Sequence, residues 1–182
     1  MNVFSNFELE GQTAIITGAA RGLGKSMATG LAEAGANIVI PDIDYETAQE
    51  AAREIQDIGV ETLALKCDVT EEDDVKNMVS ETVSNFESID ILVNNAGICI
   101  HTPAEEMSLE EWKKVMDVNL TGVFLCSREV GKEMIENGGG NIINISSMSG
   151  FIVNHPQPQC SYNASKAGVA QLTKSLAAEW AE

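Results

Sequence analysis

A chain of 182 residues, 44% of them hydrophobic, has enough apolar material for one globular domain with a buried core, which excludes an intrinsically disordered chain. Its formal net charge of −17 repels phosphate backbones and anionic lipid, and its few basic residues form no cluster, so neither nucleic acid nor a membrane surface is expected as a partner. The opening MNVFSNFELEG lacks the positive patch and apolar run of a signal peptide, and the four cysteines, Cys67, Cys99, Cys126 and Cys160, have no paired spacing. A cytoplasmic protein with reduced, buried thiols and no metal site is therefore expected.

Five short apolar runs each precede a longer amphipathic one. TAIIT leads into a helical pattern ending at Ala34, NIVIPD into DYETAQEAAREIQDIG, and VETLALKCD into TEEDDVKNMVSETVSNF. IDILVNN leads into one long helix within SLEEWKKVMDVNLTGVFLCSREVGKEMIENG, and NIINISS into NASKAGVAQLTKSLAAEWAE. Strands that are apolar on both faces and joined through helices pair in parallel under right-handed crossovers, which predicts an α/β fold with a doubly wound parallel sheet, in one domain over residues 1–182. Gly35, Gly59 and the NGGGN run from Asn137 to Asn141 mark helix ends, while Thr70 with Asp73 and Ser108 with Glu111 have the spacing of capping boxes.

The first strand runs straight into TGAARGLGK, where Gly18, Gly22 and Gly24 allow close approach of backbone to a pyrophosphate held at the following helix N-terminus. Glycine is also simply what a tight turn needs. Asp42, ending the second strand, stands where a carboxylate accepts hydrogen bonds from an adenosine ribose and repels a 2′-phosphate, favouring NAD over NADP; its other reading is a cap on the next helix. Arg21 pulls toward NADP, because a cation in the glycine loop suits that phosphate. Asp68 and the NNAG of Asn94 to Gly97 close the third and fourth strands, at the carboxyl ends that face the ligand crevice of an open parallel sheet.

Near the end of the chain, SYNASKAGV sets Tyr162 four residues before Lys166, so both share one helix face. A phenol ordinarily titrates near 10, too high for a general base at neutral pH, and a neighbouring ammonium favours its ionised form. Ser147, at the end of the fifth strand, suits a hydrogen bond to a substrate oxygen, although a strand-end serine is also an ordinary cap and Ser146 and Ser149 lie beside it. Asn119 lies inside the fourth helix, where a solvated polar position is the plain reading.

With these motifs in this order, the chain from Gly11 to Glu182 resembles the short-chain dehydrogenase/reductase family. The resemblance implies a Rossmann-type fold and a catalytic tetrad of Asn119, Ser147, Tyr162 and Lys166, with Asn119 holding a water that relays protons from Lys166. It implies a nicotinamide cofactor, NAD in preference to NADP, contacted by Gly18, Arg21, Gly22, Leu23, Gly24, Asp42, Asp68, Val69, Asn95, Ala96, Gly97, Tyr162 and Lys166. It further implies a homodimer or homotetramer acting on a small-molecule alcohol or ketone. The segment MSGFIVNHPQPQCS is closest to sugar and polyol members such as gluconate 5-dehydrogenases, sorbose reductases and mannitol dehydrogenases. Asn154, His155, Gln157 and Gln159 within it suit a hydroxyl-rich ligand or a solvated loop. Family members continue past this point through a sixth strand and a substrate-covering segment, so the fold is expected to be truncated after the fifth strand and its helix. Two other expectations therefore stand beside the sugar dehydrogenase: an inactive NAD-binding or oligomerisation module, and a reductase of 3-oxoacyl thioesters.

Overall fold

Strand β1 (Thr13–Ile16) is buried along its whole length, with Ala14 and Ile16 on one face of the sheet and Ile15 on the other. The same alternation runs through β2 (Asn37–Asp42), where Ile38 and Ile40 face one way and Val39 the other. Residues of period two that are apolar on both sides can be stable only between two helical layers. One layer contains α1 (Gly22–Glu33) and α2 (Tyr45–Gln56), which bring Ala28, Ala32, Ala48, Ala51, Ala52 and Ile55 to the first face. The other contains α3 (Glu72–Phe86) and α5 (Gly122–Glu136), which bring Val75, Met78, Cys126, Val130 and Met134 to the second.

The computed structural model describes residues 7–181. With β3 (Thr62–Lys66), β4 (Ile91–Asn94) and β5 (Asn141–Asn144) the sheet has five parallel strands in the order β3-β2-β1-β4-β5. The chain winds outward from β1 first to one side and then to the other, so the C-terminal ends of β1 and β4 flank the switch point at which open α/β sheets bind ligands. Helix α6 (Cys160–Trp180) packs beside β5 and against α4 (Leu109–Met116).

The long fourth helix expected from the sequence is divided. Between α4 and α5 lies a π-helical stretch, Asp117–Thr121, closed by the Gly122 N–H donating to the Asp117 carbonyl. Periodicity cannot register one inserted residue, because the apolar stripe resumes on the far side. The Ser108–Glu111 capping box is present, with both reciprocal bonds. Thr70–Asp73 is not one: the Thr70 N–H and hydroxyl both donate to Asp68 Oδ1, at 2.9 and 2.7 Å, and α3 begins after Glu71. A carboxylate two residues upstream outcompetes the cap by forming an Asx turn. Gly35 and Gly59 follow α1 and α2 with φ of 103° and 110°, as a left-handed helix stop requires.

Candidate active site

The glycine turn is closed from behind by side chains. Thr17 Oγ1 accepts the N–H groups of Asn95 and Ala96, and Asn95 Nδ2 donates to the carbonyls of Thr17 and Gly18 at 2.9 and 3.1 Å. The turn and the end of β4 are thereby locked together. A Cβ on Gly24 would stand 2.5 Å from Asn95 Nδ2 and 2.6 Å from the Gly18 carbonyl oxygen, so only glycine permits this approach. Helix α1 then starts with no side-chain cap on its N-cap residue Arg21 and no carboxylate in its first turn, whereas Asp44 caps α2 and Ser108 caps α4. An uncapped N-terminus offers free N–H donors and the positive end of the dipole to an anion.

Asp42 accepts the Ala20 N–H on Oδ2 at 3.1 Å and the Asp44 N–H on Oδ1 at 3.0 Å. The cap of α2 is Asp44, which accepts the Thr47 N–H, so the cap reading of Asp42 is overturned: it lies two residues short of the capping position. The Arg21 guanidinium forms an ion pair with Asp44.

At the other end, α6 carries Tyr162 and Lys166 on one face, with Lys166 Nζ 5.8 Å from the tyrosine ring centroid. Lys166 is only 4% exposed, and its Nζ donates to the Ile145 carbonyl at 2.6 Å. Burial lowers its pKa below the ordinary lysine range. Ser147 Oγ accepts the Ser149 N–H at 3.1 Å, which leaves the hydroxyl hydrogen free to be donated elsewhere. Asn119 sits in the π-helical stretch with no solvent exposure. Its Oδ1 accepts the Ile98 N–H at 2.8 Å, and its Nδ2 donates to the Ile98 carbonyl and to Ser165 Oγ at 2.9 and 3.1 Å. The amide therefore staples the segment after β4 onto α6, and the solvated reading of Asn119 is overturned.

Both ends open onto one cleft of about 1530 Å³, lined at the phosphate end by Gly18, Arg21 and Asp42 and at the other by Ser147, Tyr162 and Lys166. Residues 12–182 match the short chain dehydrogenase family. The chain belongs to that family. A 3-oxoacyl-[acyl-carrier-protein] reductase of Synechocystis is 43% identical over 174 residues, covering 95% of this chain and 70% of that protein. Galactitol 2-dehydrogenase of Rhizobium johnstonii is 42% identical over 182 residues, covering 100% and 70%. The crystal structure of an NAD+-bound xylitol dehydrogenase superimposes with a TM-score of 0.90 at 33% identity, covering 94% of this chain and 66% of that one. The fold is thus the expected Rossmann-type one of an oxidoreductase family.

In this short-chain dehydrogenase the cleft also receives Leu23, Gly24, Asp68, Val69, Asn95, Ala96 and Gly97. Gly22 and Asn119 do not line it; Gly22 shapes the turn with a φ of 61°, and Asn119 acts from behind. Asn154, His155, Gln157 and Gln159 are not among the residues that line it. Asn154 and Gln159 turn their amides onto Ser149 Oγ, and His155 and Gln157 are exposed on the loop. Cys67 and Cys126 are buried, but Cys99 is exposed at the cleft, contrary to the expectation for all four thiols. Residues that the sequence reading missed are Thr17, Cys99 and the α4 residues Glu110, Lys113 and Lys114 on the cleft wall. The spacing of 110, 113 and 114 was a usable signal, since it defines one helix face. Among the described residues no group of three or more His, Cys, Asp or Glu is placed to hold a metal ion, and no helix is long and apolar enough to cross a membrane.

Proposed function

We propose that this protein is a cytoplasmic NAD-dependent dehydrogenase that interconverts a secondary alcohol and a ketone of the sugar, polyol or aldonate class. The observation carrying the reading is the convergence on one cleft of Tyr162, Lys166 and Ser147 at one end and the uncapped α1 N-terminus with Asp42 at the other. The residues present fit the dinucleotide: the glycine turn and α1 N-H groups would hold its pyrophosphate, and Asp42 its adenosine ribose. When bound, its nicotinamide exchanges a hydride with the substrate carbon.

The chain's own groups handle the proton. Tyr162 Oη takes the proton of the substrate hydroxyl in oxidation and returns it in reduction, while the Lys166 ammonium stabilises the negative charge left on the phenol oxygen. Ser147, one lone pair of its oxygen engaged by the Ser149 N–H, donates its hydroxyl hydrogen to the substrate oxygen and stabilises the charge developing there. Asn119 keeps Ile98 and Ser165 in register, holding α6 against the loop that lines the cleft. The exposed small residues Ala164 and Ala167 of α6 support a homodimer or homotetramer through close helix packing, whereas Gly168 packs on Leu120 within the chain.

The sugar and polyol class rests on the similarity to galactitol 2-dehydrogenase and xylitol dehydrogenase. The equal similarity to a 3-oxoacyl-[acyl-carrier-protein] reductase makes a 3-oxoacyl thioester the competing substrate. NADH formation with galactitol, sorbitol, xylitol, mannitol and gluconate, set beside NADH or NADPH consumption with a 3-oxoacyl thioester, tests the assignment. Turnover of a polyol or aldonate is expected; reduction of the thioester alone overturns the substrate class. Tyr162→Phe should lower turnover by at least about a thousandfold while leaving NAD affinity within about twofold, because it removes only the group that moves the proton.

A further inference from the structure

Asp42 is one carboxylate that disfavours a 2′-phosphate, but it is not the only one at that end of the cleft. Arg21 projects from the glycine turn with 72% of its side chain exposed, and as the neighbouring cation it is the group a 2′-phosphate would use. It is already engaged: Arg21 Nη2 meets Asp44 Oδ2 at 2.5 Å. The backbone fixes this pairing, because Asp42 accepts the N–H of Ala20, adjacent to Arg21, on one oxygen and the N–H of Asp44 on the other. Asp44 is anchored in turn as the cap of α2, with Oδ1 accepting the Thr47 N–H at 3.3 Å.

We propose that Asp44 is a second cofactor-selecting residue, which sequesters the Arg21 guanidinium and so denies an NADP 2′-phosphate the cation of the glycine turn. The proposal rests on the reading of the cleft as a dinucleotide site. Hydrogen bonds from Thr47 and then the charge of Arg21 hold the Asp44 carboxyl below its ordinary range, so it stays a carboxylate at physiological pH. A 2′-phosphate would have to displace Asp44 from Arg21 and then sit beside two carboxylates. The cost is modest, since the pair is solvent-exposed, and it acts on selectivity rather than on binding as such.

The test is equilibrium titration of NAD and of NADP against the wild-type chain, Asp44→Asn, Arg21→Ala and the double variant. Asparagine keeps a side-chain oxygen for the Thr47 N–H, so α2 retains its cap while the charge is removed. NADP should bind Asp44→Asn about fivefold more tightly than wild type, NAD affinity should move by less than about twofold, and the NADP gain should vanish in the double variant. An unchanged NADP affinity, or a gain that survives Arg21→Ala, overturns the role of Asp44 while leaving NAD binding intact. Failure of the wild-type chain to bind either dinucleotide overturns the cofactor reading itself, and the inference with it. Asp44→Ser, a second uncharged cap, repeats the measurement if the first variant does not fold.

Discussion

Gly24 and Gly30 lie in one helix under opposite constraints. A methyl group on Gly24 would press on the Gly18 carbonyl and the Ala19 Cα, at 2.6 and 2.9 Å, which are backbone atoms that move only with the whole turn. A methyl group on Gly30 meets nothing within 4 Å. Gly30→Ala should therefore raise unfolding free energy by about 0.5–1 kcal/mol through helix propensity, whereas Gly24→Ala should destabilise the chain and weaken NAD binding at least about tenfold. Urea unfolding and a binding titration on both variants check the contrast. Lys166 gives a residue-scale pH prediction. Its folded pKa is lowered, so the folded state binds this proton less readily than the unfolded chain, and wild-type stability rises as pH climbs through the folded value toward the ordinary lysine value. The stability of Lys166→Met minus that of wild type should accordingly fall as pH is raised from 7 into that window. A difference flat with pH in urea unfolding would show that burial does not perturb the ammonium. Tyr162 and Lys166 were legible in the sequence because helical spacing alone brings them together. The bonds of Gln159 to Ser149 and Asn163 were not, since they depend on how a loop without periodicity folds back.

At the scale of elements, the strand–helix alternations were legible because the inner strands β1, β2 and β4, buried on both faces of a parallel sheet, read as apolar runs between amphipathic helices. What stayed hidden was the interruption of the fourth helix. The π-helical stretch matters because it places Asn119 where its amide reaches both backbone groups of Ile98 and also Ser165 on α6. Replacing Asn119 with leucine, a residue of similar size, leaves the Ile98 N–H and carbonyl short of a partner, while the Ser165 hydroxyl keeps only its bond to the Tyr162 carbonyl. Asn119→Leu should cost roughly 2–4 kcal/mol. Hydrogen exchange should also show lost protection at Ile98 and in the first turns of α6, rather than uniformly. A uniform loss would mean that the amide supports the core in general and does not staple these two segments. The same reasoning explains the Thr70 miss: cap spacing identifies candidates, but Asp68, only two residues away, took the hydroxyl.

Taken as a whole molecule, the chain must hold a net charge of −17 on a compact body, and its ion pairs do not offset that load. A half-buried cluster joins Glu129, its side chain only 10% exposed, to Arg128 and Lys132, and the other pairs lie on the surface: Arg21 with Asp44, Lys25 with Glu54, and Glu72 with Lys76 and Arg128. Each such pair contributes on the order of 0–1 kcal/mol, and added salt weakens it. Salt also weakens the repulsion among the excess carboxylates, which extends over the whole surface at low ionic strength because the Debye length is about 30 Å at 0.01 M and about 10 Å at 0.1 M. Long-range repulsion is thus screened first, while contacts of 2.5–2.9 Å retain most of their attraction. The net effect of moderate sodium chloride should be stabilising. Raising it from 10 to 200 mM should increase Tm by a few degrees, roughly 2–5 °C, and Asp44→Asn, which removes one negative charge, should show a slightly smaller rise. A Tm that falls over this range would mean that local pairs outweigh global repulsion, and that the acidic surface is balanced more finely than its net charge indicates.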